Sequence, residues 1–308
     1  MAPMRLSEAI HEFMLVDRPE TTQTTYQKTL DLLSGFLGED REIASISPSE
    51  LRAWIQHMRA LRLRYACHPS RPPVPGALST ATIRQRVKTA RVFFNWLVAE
   101  GFLEVSPMQR VKTPCYRRGP DDCRSITPDD ASAMFNIADH SRDRAMLLFL
   151  TTGCRAGGLC SARMATLRFD DEGGNVVVTE KGGVSRRVHF GPEVRDALKA
   201  WLAERLETDH DYVFISLKDG RPLLPGGVYQ MCRRLARKAG VKGRFNPHAF
   251  RHLVGQVLAD ANEPVMVTQL VLGHTDPQTT YETYYGVRLE RVMQVARGLA
   301  RTILSSAL

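Results

Sequence analysis

The chain has 308 residues, enough for two domains of ordinary size, and is 43% hydrophobic and 24% charged, a composition that fits globular cores and excludes a disordered or fibrous chain. Its formal charge of +9 points to a polyanionic partner, of which nucleic acid is the commonest. Six cysteines without a CxxC pair argue against a disulfide framework or zinc site. Glu8 and Glu12 interrupt what a signal peptide would need, and no apolar run has membrane-spanning length, so the expected setting is the cytoplasm with no membrane partner.

Residues 5 to 17 repeat apolar groups at helical spacing through Ile10, Phe13 and Met14. Thr21 or Thr22 caps a second helix with Tyr26, Leu30, Leu33 and Leu37 on one stripe and Gly38 as its stop. Ser47-Pro48 opens a third, with proline in the first turn and Glu50 near the positive helix end. Prolines and a glycine between Cys67 and Ser79 mark an exposed loop. Ser79 or Thr80 then starts a fourth helix with Ile83, Val87, Ala90, Phe94 and Leu97 inward. Arg84, Lys88 and Arg91 share another face, and no acid lies between Glu50 and Glu100. That face reads as a track for a DNA backbone, where mixed charge would read as a solvated surface.

Residues 1–105 are thus expected as an all-helical bundle. Residues 106–123, with Pro107, Pro114 and Pro120, are expected as a linker. Thr127-Pro128 begins the next helix, and Arg142 to Leu150 gives a buried one that ends at TTGCR, placing Arg155 just beyond a glycine. NVVVTEKGGVSRRVHF reads as two strands with Lys181 at their turn. Pro192 opens a helix with Val194, Leu198, Trp201 and Leu202 inward, YVFIS is expected as a short strand, and a basic helix follows with Arg233, Arg234 and Arg237 in a second acid-free run. The fold class is mainly α: a helical bundle, then a mostly helical domain with a small antiparallel β-sheet.

The stretch from Asn246 to Tyr285 carries the chemistry. His248 and Arg251 are three apart and share a helical face; His252, His274 in a Leu-Gly-His turn, and Tyr281, Tyr284 and Tyr285 follow. A guanidinium binds two phosphate oxygens in a fork, imidazoles donate or pass protons, and a phenol can attack. A cluster that includes Arg251 repels a metal. The reading is phosphoryl transfer on DNA through a tyrosine nucleophile.

In this order, Arg155 in TGCR, Lys181 in EKGG, HAFRH, LGHTD and TTYETYY, the chain resembles the tyrosine recombinases and phage-type integrases over its whole length. The resemblance implies a core-binding, SAM-like domain at 1–105, a catalytic domain at 124–285, and a C-terminal helix at 286–308. The last carries an apolar stripe from Leu289 to Ile303 that docks on a neighbouring protomer. It also implies roles by position. Arg155 and Arg251 clamp the scissile phosphate, and His248 and His274 hydrogen-bond its oxygens. Lys181 protonates the leaving 5′ oxygen, and Tyr284 attacks to give a 3′-phosphotyrosine, with Tyr285 and then Tyr281 as alternatives. His252 is expected to be structural, packed under its helix. No metal and no cofactor is needed, because the phosphotyrosine conserves the bond energy. The partners are duplex DNA and a homotetramer on paired sites, in the recombination or integration of a mobile element or at simple chromosomal sites. A chain that starts at the core-binding bundle suggests the layout without an arm-binding domain.

One position departs from the family. An acid is often found three places after the first arginine, supporting the site, and Gly158 stands there. It motivates a rival reading as a sequence-specific DNA-binding protein without catalysis; a relaxing enzyme like the type IB topoisomerases is a third.

Overall fold

Capping chemistry sets the helix starts in the computed structural model, which describes residues 4–64, 72–116, 126–180, 182–242, 245–274 and 276–285. The helix α1 (Leu6–Leu15) is followed by α2 (Glu20–Leu37), which begins earlier than the threonines suggest, because Pro19 itself takes the N-cap position. The helix α3 (Pro48–Ala60) carries a capping box in which Ser47 accepts from the Glu50 amide and Glu50 reaches back to the Ser47 amide. A two-residue ribbon pairs β1 (Leu63–Arg64) with β2 (Val74–Pro75). The helix α4 (Thr80–Ala99) is capped by Ser79. Its residues Ile83, Val87, Ala90, Phe94 and Leu97 are all buried, together with Phe93. They meet Leu6, Phe13, Leu30, Leu33, Leu51 and Trp54 in the core of the first unit. Each such side chain contributes about 1.5–3 kcal/mol by leaving water.

The chain divides into two compact units at Gly119/Pro120. The division falls inside the expected linker, but residues 107–114 belong physically to the first unit. There a short 3₁₀ turn (Pro107–Arg110) buries Met108, and Val111 is buried beside it.

The second unit begins with α5 (Pro128–Asn136), whose capping box joins Thr127 and Asp130, and α6 (Ser141–Leu150), buried along most of its length. A short helix α7 (Ala156–Ser161) follows Arg155, and three antiparallel strands come next: β3 (Arg168–Asp170), β4 (Gly173–Thr179) and β5 (Ser185–Phe190). The register sets Val176 opposite Val188 and Thr179 opposite Ser185. The first strand of this sheet was not apparent in the sequence. The YVFIS segment, by contrast, is not a strand. Val213, Phe214 and Ile215 are buried, but only isolated bridges form, Arg163 to Tyr212 and Ile215 to Pro222. Its apolar run reports burial and not pairing. The helices α8 (Pro192–Glu204), α9 (Pro225–Lys238), α10 (Pro247–Asp260) and α11 (Val265–Leu272) complete the core, followed by α12 (Pro277–Thr280) and a π-helical turn over Tyr281–Tyr285. No helix among the described residues is long and apolar enough to cross a membrane. The tail from 286 on, with its expected apolar stripe, lies outside the described residues.

Candidate active site

Four pieces of chain converge in the second unit. Asn246 caps α10 by accepting from the Ala249 amide at 3.0 Å, and Pro247 occupies the first turn, so His248 and Arg251 project from the first two turns. The helix α11 ends at Gly273, whose φ of 62° is left-handed, and the turn delivers His274. The TTG turn after α6 delivers Arg155, and the end of β4 delivers Glu180. Arg155, His248 and Arg251 line one open cleft of about 490 Å³ with Asn246, Pro247 and Tyr229.

Arg251 is 1% exposed. Its Nη1 donates to the Gly153 carbonyl at 2.7 Å, while Nη2 is buried with no hydrogen-bond partner among the described residues. Burial and the nearby Arg155 pull its pKa down to about 10, with Glu180 and Tyr284 acting the other way; it remains cationic at neutral pH. Arg155 donates to the Glu180 carboxylate and more weakly to the Gly273 carbonyl, at 3.4 and 3.5 Å. Arg186 of β5 joins the same carboxylate at 3.4 Å and donates to the Val271 carbonyl at 3.2 Å. The carbonyl end of α11 therefore faces two guanidiniums, as its dipole favours.

His274 has Nδ1 2.8 Å from the hydroxyl of Thr280, which is fully buried. Burial, then the charges of Arg251 and Arg155, depress its pKa to about 4, so the ring is neutral at physiological pH before any anion binds. The ring of Tyr284 lies parallel to that of His274, centroids 6.4 Å apart, and its hydroxyl sits 3.3 Å from Nδ1 of His252. His252 in turn packs edge-on against His248 at 4.7 Å. Tyr284 is 8% exposed and rests on Gly255, where an added Cβ would come within 2.4 Å of its Cζ.

The structure thus brings together Arg155, His248, Arg251, His274 and Tyr284, and Lys181 lies outside the described residues. The tyrosines separate clearly. The Tyr285 hydroxyl donates to the Glu263 carbonyl at 2.6 Å and receives a bond from the buried Thr268 hydroxyl at 2.6 Å, which is an anchoring arrangement. Tyr281 is 45% exposed. His252 is not a packing residue under the helix: it lies between His248 and Tyr284, and its spacing of four from His248 was the available signal. Glu180, Arg186 and Gly255 were missed. A glycine inside an otherwise regular helix was the hint for the last.

Three of the basic residues expected along DNA have partners within their own unit. Arg91 donates to the carbonyls of Met108 and Val111 at 2.7 and 2.6 Å and to the Thr113 hydroxyl at 3.3 Å, and Arg84 donates to the Pro114 carbonyl at 2.9 Å. They strap the segment after α4 to its own unit, and of the three Lys88 is exposed while Arg84 and Arg91 are half-buried. Arg234 pairs with the buried Asp143, shared with Arg142, so a carboxylate of its own unit claims that guanidinium. Arg233, Arg234 and Arg237 are all exposed. Among the described residues no group of three or more His, Cys, Asp or Glu is placed to hold a metal ion.

Comparison with known proteins identifies the family and the fold. The model of the phage integrase family matches residues 124–291, and that of the phage integrase N-terminal SAM-like domain matches 12–101. The tyrosine recombinase XerC of Xylella fastidiosa (strain M23) is 27% identical over 288 residues, 90% of each chain. That of Thermodesulfovibrio yellowstonii is 29% identical over 231 residues, 70% of this chain and 75% of the relative. Among solved structures, the Tn1549 transposon integrase in complex with transposon right end DNA superimposes with a TM-score of 0.75 at 16% identity, over 96% of this chain and 100% of that one. A lambda integrase dimer bound to a COC′ core site gives 0.69 at 17% identity, over 91% of this chain and 95% of that one. At such identities the structural likeness speaks for the fold.

Proposed function

We propose, from the premise that the chain belongs to the phage integrase family and is a site-specific tyrosine recombinase, that Arg155, His248, Arg251 and His274 hold one scissile phosphodiester of duplex DNA while Tyr284 attacks it. The observation that carries this assignment is Arg251. A buried guanidinium nitrogen with no partner costs about 1–3 kcal/mol, and proteins seldom keep such a group unless a ligand completes it. A phosphate oxygen in the adjoining cleft supplies the acceptor, and Arg155 supplies the second cation.

In the proposed step the Tyr284 oxygen bonds to phosphorus and the 5′ oxygen of the next nucleotide leaves. The products are a 3′-phosphotyrosine and a free 5′ hydroxyl. The phenol proton passes first to His252, 3.3 Å away, and Lys181, next to Glu180 in the chain, protonates the leaving oxygen. A free phenol has a pKa of about 10, so the attack needs an adjacent acceptor and the surrounding cations. Charge builds on the phosphate oxygens in the transition state, and the guanidiniums stabilise it there more than in the ground state. With Nδ1 held by Thr280, His274 keeps Nε2 for a phosphate oxygen. Reversal on a second 5′ hydroxyl rejoins the strand.

The functional unit we propose is a tetramer on paired sites, acting in the cytoplasm. Met266 and Leu270 on α11 are 70% and 71% exposed, an apolar surface suited to the stripe of residues Leu289 to Ile303 of a neighbouring copy. A nicked duplex carrying the site that the chain selects from random-sequence DNA tests the chemistry. The wild type is expected to become trapped as a covalent adduct, whereas salt-sensitive binding without any adduct would favour DNA binding alone.

A further inference from the structure

We infer that Glu180 is the positioning residue for Arg155, a role that presupposes the phosphotyrosine chemistry proposed above. Its side chain is 5% exposed and follows directly on the hairpin strand β4. One oxygen, Oε1, accepts from the Arg155 backbone amide at 3.2 Å and from the Arg186 guanidinium at 3.4 Å. The other, Oε2, accepts from the Arg155 guanidinium. One carboxylate thus fixes both the main chain and the side chain of Arg155, and ties them to β5. Apart from Glu180, the hydrogen bonds of the Arg155 guanidinium among the described residues are the long ones to the Gly273 carbonyl, at 3.4 and 3.5 Å.

The space for this carboxylate is made by Gly158. A Cβ at that position would lie 3.3 Å from Cγ and from Oε1 of Glu180, and 2.7 Å from the Cys154 sulfur. An acid reaching up from residue 158 and one reaching across from residue 180 would contend for one volume beneath Arg155. This chain fills it from the hairpin. The glycine that departs from the family pattern is therefore the complement of Glu180, and the site keeps its carboxylate.

Electrostatics give the same answer. Arg155, Arg186 and Arg251 are mutually repelling, and Glu180 is the acid that offsets them at Arg251. A carboxylate so buried is retained only where its partners are fixed. Freed of it, Arg155 would gain rotamer freedom that must be lost again when phosphate binds.

The experiment compares wild type, Glu180→Gln and Glu180→Asp on the nicked duplex bearing the wild-type-selected site. The scissile group is either an ordinary phosphodiester or a methylphosphonate, which is neutral and offers no charge for Arg155 to meet. Glu180→Gln is expected to slow adduct formation on the phosphodiester by about 10²-fold, the scale of a small misplacement, with binding retained and the melting temperature lowered but the fold kept. Glu180→Asp is expected to recover part of the loss, and the deficit should shrink on the methylphosphonate. An undiminished Glu180→Gln rate would overturn the positioning role alone, and so would an equal loss on both substrates. Should Glu180→Gln fail to fold, the same comparison is made with Glu180→Asp and judged alike. A wild type that forms no adduct on its selected site would overturn the phosphotyrosine reading and this role with it.

Discussion

Arg91 in the first unit and Arg251 in the second both reach across to main-chain carbonyls, yet they are finished differently. Arg91 spans three acceptors after α4, on Met108, Val111 and Thr113. Arg251, more deeply buried, has one bond to Gly153 and a second nitrogen with no partner among the described residues, beside a cleft. A satisfied guanidinium is a brace. One left incomplete at a cleft wall is prepared for an acceptor that arrives from outside. The same residue type has its hydrogen bonds met in one place and left unmet in the other, and the function proposed above rests on that difference.

The sharpest way to break that contrast is to truncate both. Arg251→Ala should reduce covalent adduct formation by roughly 10²–10³-fold in protein that still folds, measured by single-turnover trapping and thermal melting. Arg91→Ala should do the reverse, costing about 1.5–3 kcal/mol of stability in denaturant titration while the cleavage rate of bound DNA is unchanged. Equal effects of the two on cleavage would erase the distinction.

Gly255→Ala isolates the seat of the nucleophile. Alanine favours a helix interior over glycine by about 0.5–1 kcal/mol, which offsets part of the ~1–3 kcal/mol cost of displacing a packed ring, so melting should fall only slightly. The new Cβ would nevertheless meet the Tyr284 ring at 2.4 Å, and adduct formation should fall by about 10²-fold. Tyr285→Phe gives the converse. Losing the bonds to Glu263 and Thr268 should cost about 1–3 kcal/mol in stability, and cleavage by Tyr284 should persist.

The smallest effect is expected from pH. In the folded chain His274 has a pKa near 4, below its ordinary value of 6.5, so the unfolded chain takes up the proton first as pH falls. Its contribution to stability is whole above pH 6.5 and is lost progressively toward pH 4. Replacing His274 with glutamine should flatten the melting profile across that window; an unchanged slope would show that the ring is not held neutral.

How much of this could be read from the residues depended on range. Helix starts were legible because Ser47, Ser79 and Thr127 act on amides three residues away. The pairing of His248 with Arg251 followed from helical spacing. What depended on distant partners was not legible. Nothing local distinguishes Arg91 from Arg251, since each is defined by carbonyls from another part of its unit, and Glu180 meets Arg155 across 25 positions. The burial of Val213, Phe214 and Ile215 was visible as an apolar run, but whether a neighbouring strand would pair with it was not. That the Tyr285 hydroxyl is held by the Glu263 carbonyl and the Thr268 hydroxyl was not legible either.

The most direct test is to digest the trapped protein–DNA adduct and locate the modified peptide by mass spectrometry. The nucleotide is expected on the phenolic oxygen of Tyr284, joined through a 3′ phosphate. Attachment to Tyr281 or Tyr285, or a Tyr284→Phe protein that folds and still forms the adduct, would contradict the assembly of Arg155, His248, Arg251 and His274 around that tyrosine.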